Sequence, residues 1–158
     1  MKYTHVDTPI GKLTVVAGGT GIRRILWDGE APPEDAVEGH SDLLDAAVTQ
    51  IREYFTGNRT TFDLPLDLGG TPFQQKVWRE LGSIPFGTTI SYGEQARRIG
   101  RPQAARAVGA ANGRNPVPVV LPCHRVIGSG GALTGFGGGL DTKRTLLRHE
   151  EEIVAGRG

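Results

Sequence analysis

No stretch restricts the fold of this chain more than Asn115-Pro116-Val117-Pro118-Val119-Val120-Leu121-Pro122-Cys123. Pro116 pushes Asn115 out of the helical region, and neither Pro116 nor Pro118 offers an N–H. The chain must run extended here and then enter an apolar run walled by Pro122. Asn115 is placed to stitch this turn with side-chain hydrogen bonds, as asparagine often does. The run ends on Cys123, the only cysteine in 158 residues, with His124 directly after it. Adjacency alone leaves two readings open. One is a small buried cysteine beside a chance histidine, and the other is a reactive pair.

Composition narrows the setting. A chain of 158 residues with 37% apolar and 22% charged residues can build one ordinary domain or two small ones. No run approaches bilayer length, and Met1-Lys2-Tyr3-Thr4-His5 lacks the apolar stretch of a secretion signal, so no membrane partner is expected. One cysteine excludes an intrachain disulfide, and a free thiol suits a reducing cytoplasm. The net charge of +1 conceals an asymmetry. Residues 1–75 carry 6 basic and 11 acidic side chains, whereas residues 76–158 carry 12 basic and 6 acidic ones. Arg97, Arg98, Arg101, Arg106, Arg114 and Arg125 all fall between Glu94 and Asp141, a span without an acidic residue. Such a half suits a polyanion, most often nucleic acid, although a solvated basic face with no partner gives the same pattern.

In chain order, residues 2–7, 11–17 and 21–27 predict three short strands separated by turn residues. Residues 28–41 are polar and predict an exposed loop. Apolar positions from Asp42 to Phe55 recur at helical spacing, and Gly57 stops that helix. Residues 61–66 alternate like a strand, which Pro65 limits to an edge or an irregular connection. A break near Gly69-Gly70 divides a supporting domain, residues 1–70, from residues 71–158. There Thr71-Pro72 opens a helix with Trp78 on its buried stripe. Ser91 caps a short helix with Glu94 as its capping-box partner. A second helix, from about Gln103 to Asn112, completes a helix-turn-helix. Gln103, Arg106 and Asn112 are its only side chains able to address base edges. The smooth surface around Ala105, Ala107 and Gly109 suits close approach to a narrow groove, with Arg106 reaching inward. Residues 127–139 hold seven glycines, either a linker or a loop whose free N–H groups approach a flat ligand. A last helix opens near Asp141, with Leu146, Leu147 and Glu150 on one side, and the tail beyond Ala155 is expected to be disordered.

Pro122-Cys123-His124-Arg125-Val126, together with Asn115-Pro116-Val117-Pro118, Ala104-Ala105-Arg106-Ala107-Val108-Gly109, Ile90-Ser91-Tyr92-Gly93 and Leu146-Leu147-Arg148-His149-Glu150, closely resembles the O6-alkylguanine-DNA alkyltransferases. The likeness runs in register over residues 73–150, about half the chain. It implies an α/β (α+β) fold: a ribonuclease-H-like domain with a small antiparallel sheet and a helix, then a mostly helical winged-helix-type domain. It implies a suicide reaction in which Cys123 accepts the alkyl group of O6-alkylguanine, and of O4-alkylthymine, in duplex DNA. His124 would act as base through a water, Glu150 would orient and charge it, and Asn115 would be the hinge. Arg106 would fill the stack left by the flipped base. Tyr92 would press on the flipped nucleotide, with Ser91, Gln103, Ala105, Ala107 and Gly109 on the DNA face. Val126, Pro118, Phe136, Gly137 and Gly138 would line the pocket. Relatives often carry tyrosine at the position of Phe136 and serine or alanine at that of Gly137, so a slower reaction is expected. No metal or cofactor is implied, and a monomer clustering on DNA in the nucleoid is expected.

Three rivals make different predictions. A damage sensor of the same family would flip the base without repair, but that class replaces the cysteine that this chain retains. A transcriptional regulator would show sequence preference, which the base-blind second helix argues against. A cysteine hydrolase would turn over beyond one equivalent of product.

Overall fold

Two short runs, Lys2–Thr8 (β1) and Gly11–Ala17 (β2), form an antiparallel hairpin whose register runs from Lys2↔Ala17 to Thr8↔Gly11. The structure, a computed structural model, describes residues 1–131, 133 and 136–157. It divides into two units, residues 1–69 and 70–158. In the first unit β2 is central, and Ile22–Leu26 (β3) flanks it antiparallel with a bulge at Val16/Ala17. On the far side of β1 lies Val37–Glu38 (β4), pairing parallel to it. β4 falls in the polar segment expected to be a loop. Both its residues are exposed, and backbone bonds from Val37 N to Met1 O and from Gly39 N to Tyr3 O define it, so no apolar pattern announces it.

Asp42–Phe55 (α1) forms where its periodicity places it, with Ser41 accepting from Leu44 N at 3.2 Å. Leu44, Ala47, Ile51 and Tyr54 are fully buried along one stripe. Burial of each larger side chain contributes about 1.5–3 kcal/mol. Residues 61–66 are an irregular connection rather than a strand, touching β3 through one bridge, Ile22↔Leu66. Gly21 allows this approach, because a Cβ there would lie 2.9 Å from Pro65 O and Asp67 N.

The second unit opens with Pro72–Leu81 (α2), whose cap is a complete capping box between Thr71 and Gln74. Trp78 is core, and its Nε1 donates to Ala111 O at 2.7 Å. Ile90–Ser91 (β5) leads directly into Tyr92–Arg98 (α3), where Ser91 accepts from Glu94 N at 3.0 Å. The reciprocal half of the expected capping box is replaced by an ion pair, Arg97 Nη2 to Glu94 Oε2 at 3.3 Å. Ala105–Asn112 (α4) starts two residues later than its periodicity suggests. Pro102 instead forms a turn closed by Ala104 N to Arg101 O at 2.9 Å, leaving Gln103 exposed before the helix. Gln95 ties these helices together, bonding Val77 O and accepting from Asn112 Nδ2 at 2.7 Å.

Val126–Ile127 (β6) pairs parallel with β5, matching Ile90 with Val126 and Ser91 with Ile127. Leu140–Arg157 (α5) continues past Ala155, where disorder was expected. No proline or capping residue stops it there, and Arg157 suits the negative end of the helix dipole. Gly158 lies outside the described residues, as do Ala132, Thr134 and Gly135 of the glycine-rich loop. Among the described residues, no helix is long and apolar enough to cross a membrane.

Candidate functional site

The proline-punctuated stretch is buried without a break from Pro116 to Val126. An extended chain in that setting must find partners for its backbone polar groups, because each one left unpaired costs about 1–3 kcal/mol. Asn115 supplies two. Its Nδ2 donates to Leu121 O at 2.7 Å, and its Oδ1 accepts from Val117 N at 3.0 Å. Leu121 N returns to Val117 O at 3.0 Å, closing a tight loop. Val119 sits at its tip with φ +73°, a conformation that costs a β-branched residue about 1–3 kcal/mol. The loop delivers Cys123, His124 and Arg125 onto one 3-10 turn, Cys123–Arg125, immediately before β6.

Cys123 is 7% exposed, a free thiol at the rim of the core. Burial pushes its pKa up to about 11, against hydrogen bonding from Asn115, the Lys143 charge and the backbone N–H groups of Cys123 and His124. His124 is fully buried, and its Nε2 lies 2.6 Å from Glu150 Oε2. Its Nδ1 has no hydrogen-bond partner among the described residues. Burial lowers the imidazole pKa, and the Arg125 and Lys143 charges add to that, while Glu150 opposes it. Glu150 projects inward from α5 and is held well below the usual carboxylate range: hydrogen bonds and charges from His124 and Arg125 overcome the opposing desolvation.

Two of the groups that build this site were given no role in it by the sequence expectations. Arg125, counted above with the basic surface, is 5% exposed and faces inward. It reaches Glu150 through Nε at 2.8 Å and Nη2 at 3.0 Å, and Ile84 O through Nη1 at 2.7 Å. Lys143 is fully buried, donates to Val126 O at 2.7 Å, and lies 5.8 Å from the ring centroids of both Tyr92 and Phe136. Burial lowers its pKa, and the nearby Cys123 raises it. The sequence signal for Lys143 is spacing: Lys143, Leu146 and Glu150 share the inward stripe of α5 at helical intervals. Gly87 adds a third donor to Glu150, at 3.0 Å to Oε1. Its φ of +81° and the 2.6 Å that would separate a Cβ from Val154 Cγ2 both require glycine.

Lys143 thus links Val126, Tyr92 and Phe136, and the β5–β6 pair brings the start of α3 beside the cysteine turn. Pro118 and Val126 are buried, Gly138 is half-buried and Gly137 is exposed. On α4, Arg106 and Ala107 are exposed while Ala105 and Gly109 are half-buried, and a Cβ on Gly109 would rest 3.6 Å from Tyr92 Cδ1. Ser91 spends its hydroxyl on the cap of α3. Asn112 does not face the groove side: it is 6% exposed and bonded to Gln95, because its place on α4 is turned toward α3.

Comparison with known proteins matches residues 72–152 to the family model of the 6-O-methylguanine DNA methyltransferase DNA binding domain. Residues 1–68 match its ribonuclease-like domain. The methylated-DNA–protein-cysteine methyltransferase of Mycobacterium tuberculosis is 48% identical over 153 residues, covering 96% of this chain and 93% of that protein. The constitutive one of Bacillus subtilis is 42% identical over 157 residues, covering 96% and 95%. The crystal structure of Mycobacterium tuberculosis OGT in complex with DNA superposes with a TM-score of 0.90 at 46% identity, covering 97% of this chain and 94% of that one.

Proposed function

The chain belongs to the 6-O-methylguanine DNA methyltransferase family, and from that premise we propose that Cys123 removes the alkyl group from O6-alkylguanine in double-stranded DNA. It is a DNA-repair methyltransferase that consumes itself, one alkyl group per protein molecule. One observation carries the assignment of the acceptor. The lone thiol sits beside a histidine that is bonded at Nε2 to a buried glutamate and, among the described residues, has no partner at Nδ1.

The thiol rests protonated, since burial pushes it up to about 11. Attack therefore couples two events. The thiol proton passes through a water to Nδ1 of His124 while Sγ bonds to the alkyl carbon. The carbon–O6 bond breaks, its electron pair stays on O6, and guanine takes up a proton in place of the alkyl group. Glu150 holds the imidazole by its Nε2 hydrogen and stabilises the imidazolium that forms. The thioether does not reverse, so the reaction stops at one turnover. Arg106 on α4 fills the stack after the base swings out, Tyr92 and Phe136 wall the pocket, and Asn115 is the hinge behind the thiol. A DNA substrate and a lone thiol that needs reducing surroundings support a cytoplasmic protein, on the nucleoid when bound, and we take it to act as a monomer.

Intact mass after incubation with excess methylated duplex tests this reading. A single methyl increment on Cys123, absent in Cys123→Ala, is expected. Free guanine accumulating beyond one equivalent of protein would mean a hydrolase, and an unmodified Cys123 would mean a sensor.

A further inference from the structure

Glu150 is doubly claimed. Its Oε2 receives His124 Nε2 at 2.6 Å and Arg125 Nη2 at 3.0 Å. Its Oε1 receives Arg125 Nε at 2.8 Å and the Gly87 N–H at 3.0 Å. The guanidinium is anchored at its third nitrogen by Ile84 O and lies 5.5 Å from the Phe86 ring centroid. Consecutive residues of one 3-10 turn thus meet the same buried carboxylate. We infer that Arg125 is a positioning residue for the transfer reaction: by clamping and neutralising Glu150, it keeps His124 uncharged and able to take the Cys123 proton. This rests on the reading of His124 as the base.

The effect is one of charge. A buried carboxylate facing only an imidazole draws a second proton onto that ring, because the ion pair offsets the desolvation of both partners. An imidazolium has no lone pair left, so such a ring could not accept from the thiol. Arg125 removes that pull by supplying the positive charge itself, in the bidentate geometry that suits a guanidinium and a carboxylate. Among the described residues, the charged groups acting on the ring are Glu150 and Lys143 from α5 and Arg125 from its own turn, with the Cys123 thiol next in the chain. Two cations and one anion leave the imidazole no electrostatic reason to charge at rest. Its Nε2 hydrogen goes to Glu150, which leaves the lone pair on Nδ1, the nitrogen without a partner among the described residues. Guanidinium is suited to this task because it does not lose its proton near neutrality.

Two readouts separate this role from a merely structural one: the His124 titration followed by long-range 1H–15N NMR, and the pH profile of single-turnover alkyl transfer. Arg125→Met should raise the His124 midpoint by about one unit or more. Its transfer rate at neutral pH should fall on the order of tenfold and recover as the pH is raised, since one unit is tenfold in proton occupancy. Arg125→Lys keeps the charge and should restore the wild-type midpoint. A uniform loss of rate at every pH with the His124 titration unmoved overturns the proposal. Should the methionine variant fail to fold, the unaltered protein still decides: a ring protonated on both nitrogens at neutral pH overturns the idea, and a neutral ring with Nδ1 bare supports it. The NMR titration needs no alkyl transfer. If Cys123 takes up no alkyl group while the midpoint shifts as expected, the functional reading fails and the clamp stands.

Discussion

At Cys123 two influences oppose each other. Burial favours the neutral thiol, while Lys143, Asn115 and two backbone N–H groups favour the thiolate. Lys143 is the one full charge among the latter, so Lys143→Gln, which can still donate to Val126 O, should raise the thiol pKa further. A loss in single-turnover rate on the order of tenfold at neutral pH is expected, shrinking in alkaline buffer. A rate unchanged at all pH values would leave Lys143 only its packing role. Phe136 offers a second test, because its ring is proposed as a wall of the pocket but carries no hydroxyl. Phe136→Tyr should speed transfer, and no gain in single-turnover rate would remove the idea that a phenol assists departure of the guanine. At this scale the sequence was legible where the proposed chemistry draws on residues close together in the chain. Cys123, His124 and Asn115 fall within one short run that three prolines make conspicuous. Lys143 and Arg125 were not legible, because charged side chains belong at the surface unless a partner draws them inward. Here the partners come from elements distant in the chain.

Among the elements, the loop from Asn115 to Leu121 leads into the cysteine turn, and helix α4 is the one we propose to enter the groove. One side chain satisfies two buried backbone groups of that loop. Asn115→Ala should therefore destabilise the second unit by about 2–4 kcal/mol, since each hydrogen bond lost leaves an unpaired partner. Urea unfolding checks this, and a change below about 1 kcal/mol would show that water replaces the amide at no cost. On α4, Arg106 is exposed among small residues, and among the described residues no hydrogen bond or ion pair joins it to Cys123, His124 or Glu150. Arg106→Ala should slow repair of duplex DNA far more than alkyl transfer from free O6-benzylguanine. Equal losses on both substrates would place Arg106 in the chemistry rather than in base extrusion. The helical elements were foreseeable from apolar spacing, the Thr71 and Ser91 caps included, whereas the Ser41 cap was not read from the polar segment before α1. The misjudged edges share a cause: β4, the start of α4 and the Glu94 side chain are decided by backbone partners or by single ion pairs, neither of which has a periodicity.

For the whole molecule, the structure first trims the charge asymmetry. Of the arginines between Glu94 and Asp141, Arg97 pairs with Glu94, Arg98 with Glu80 and Arg125 with Glu150, whereas Arg101, Arg106 and Arg114 are exposed around α4. Three phosphate contacts from these would give a slope of about −3 for log affinity against log salt. The ionisable core makes a sharper prediction about stability. Glu150 is held below its ordinary value, so its contribution is full above about pH 4.3 and is lost as the pH falls further. His124 is also lowered; below about pH 6.5 the unfolded chain binds its proton first, and stability falls there as well. Cys123 has the opposite sign. Its pKa is raised to about 11, so above the ordinary thiol value the unfolded chain releases a proton that the folded chain keeps, and stability falls as the pH rises. The loss from this one group approaches about 3 kcal/mol by pH 11. Lys143, lowered by burial, works against it in the same alkaline range, so the thiol must be isolated by substitution. Denaturant unfolding of wild type and Cys123→Ala at roughly pH 7 and 10.5 does this. The variant should lose markedly less stability over that interval. Parallel losses would mean that the thiol already meets solvent in the resting protein, and that attack needs no coupled proton transfer to His124.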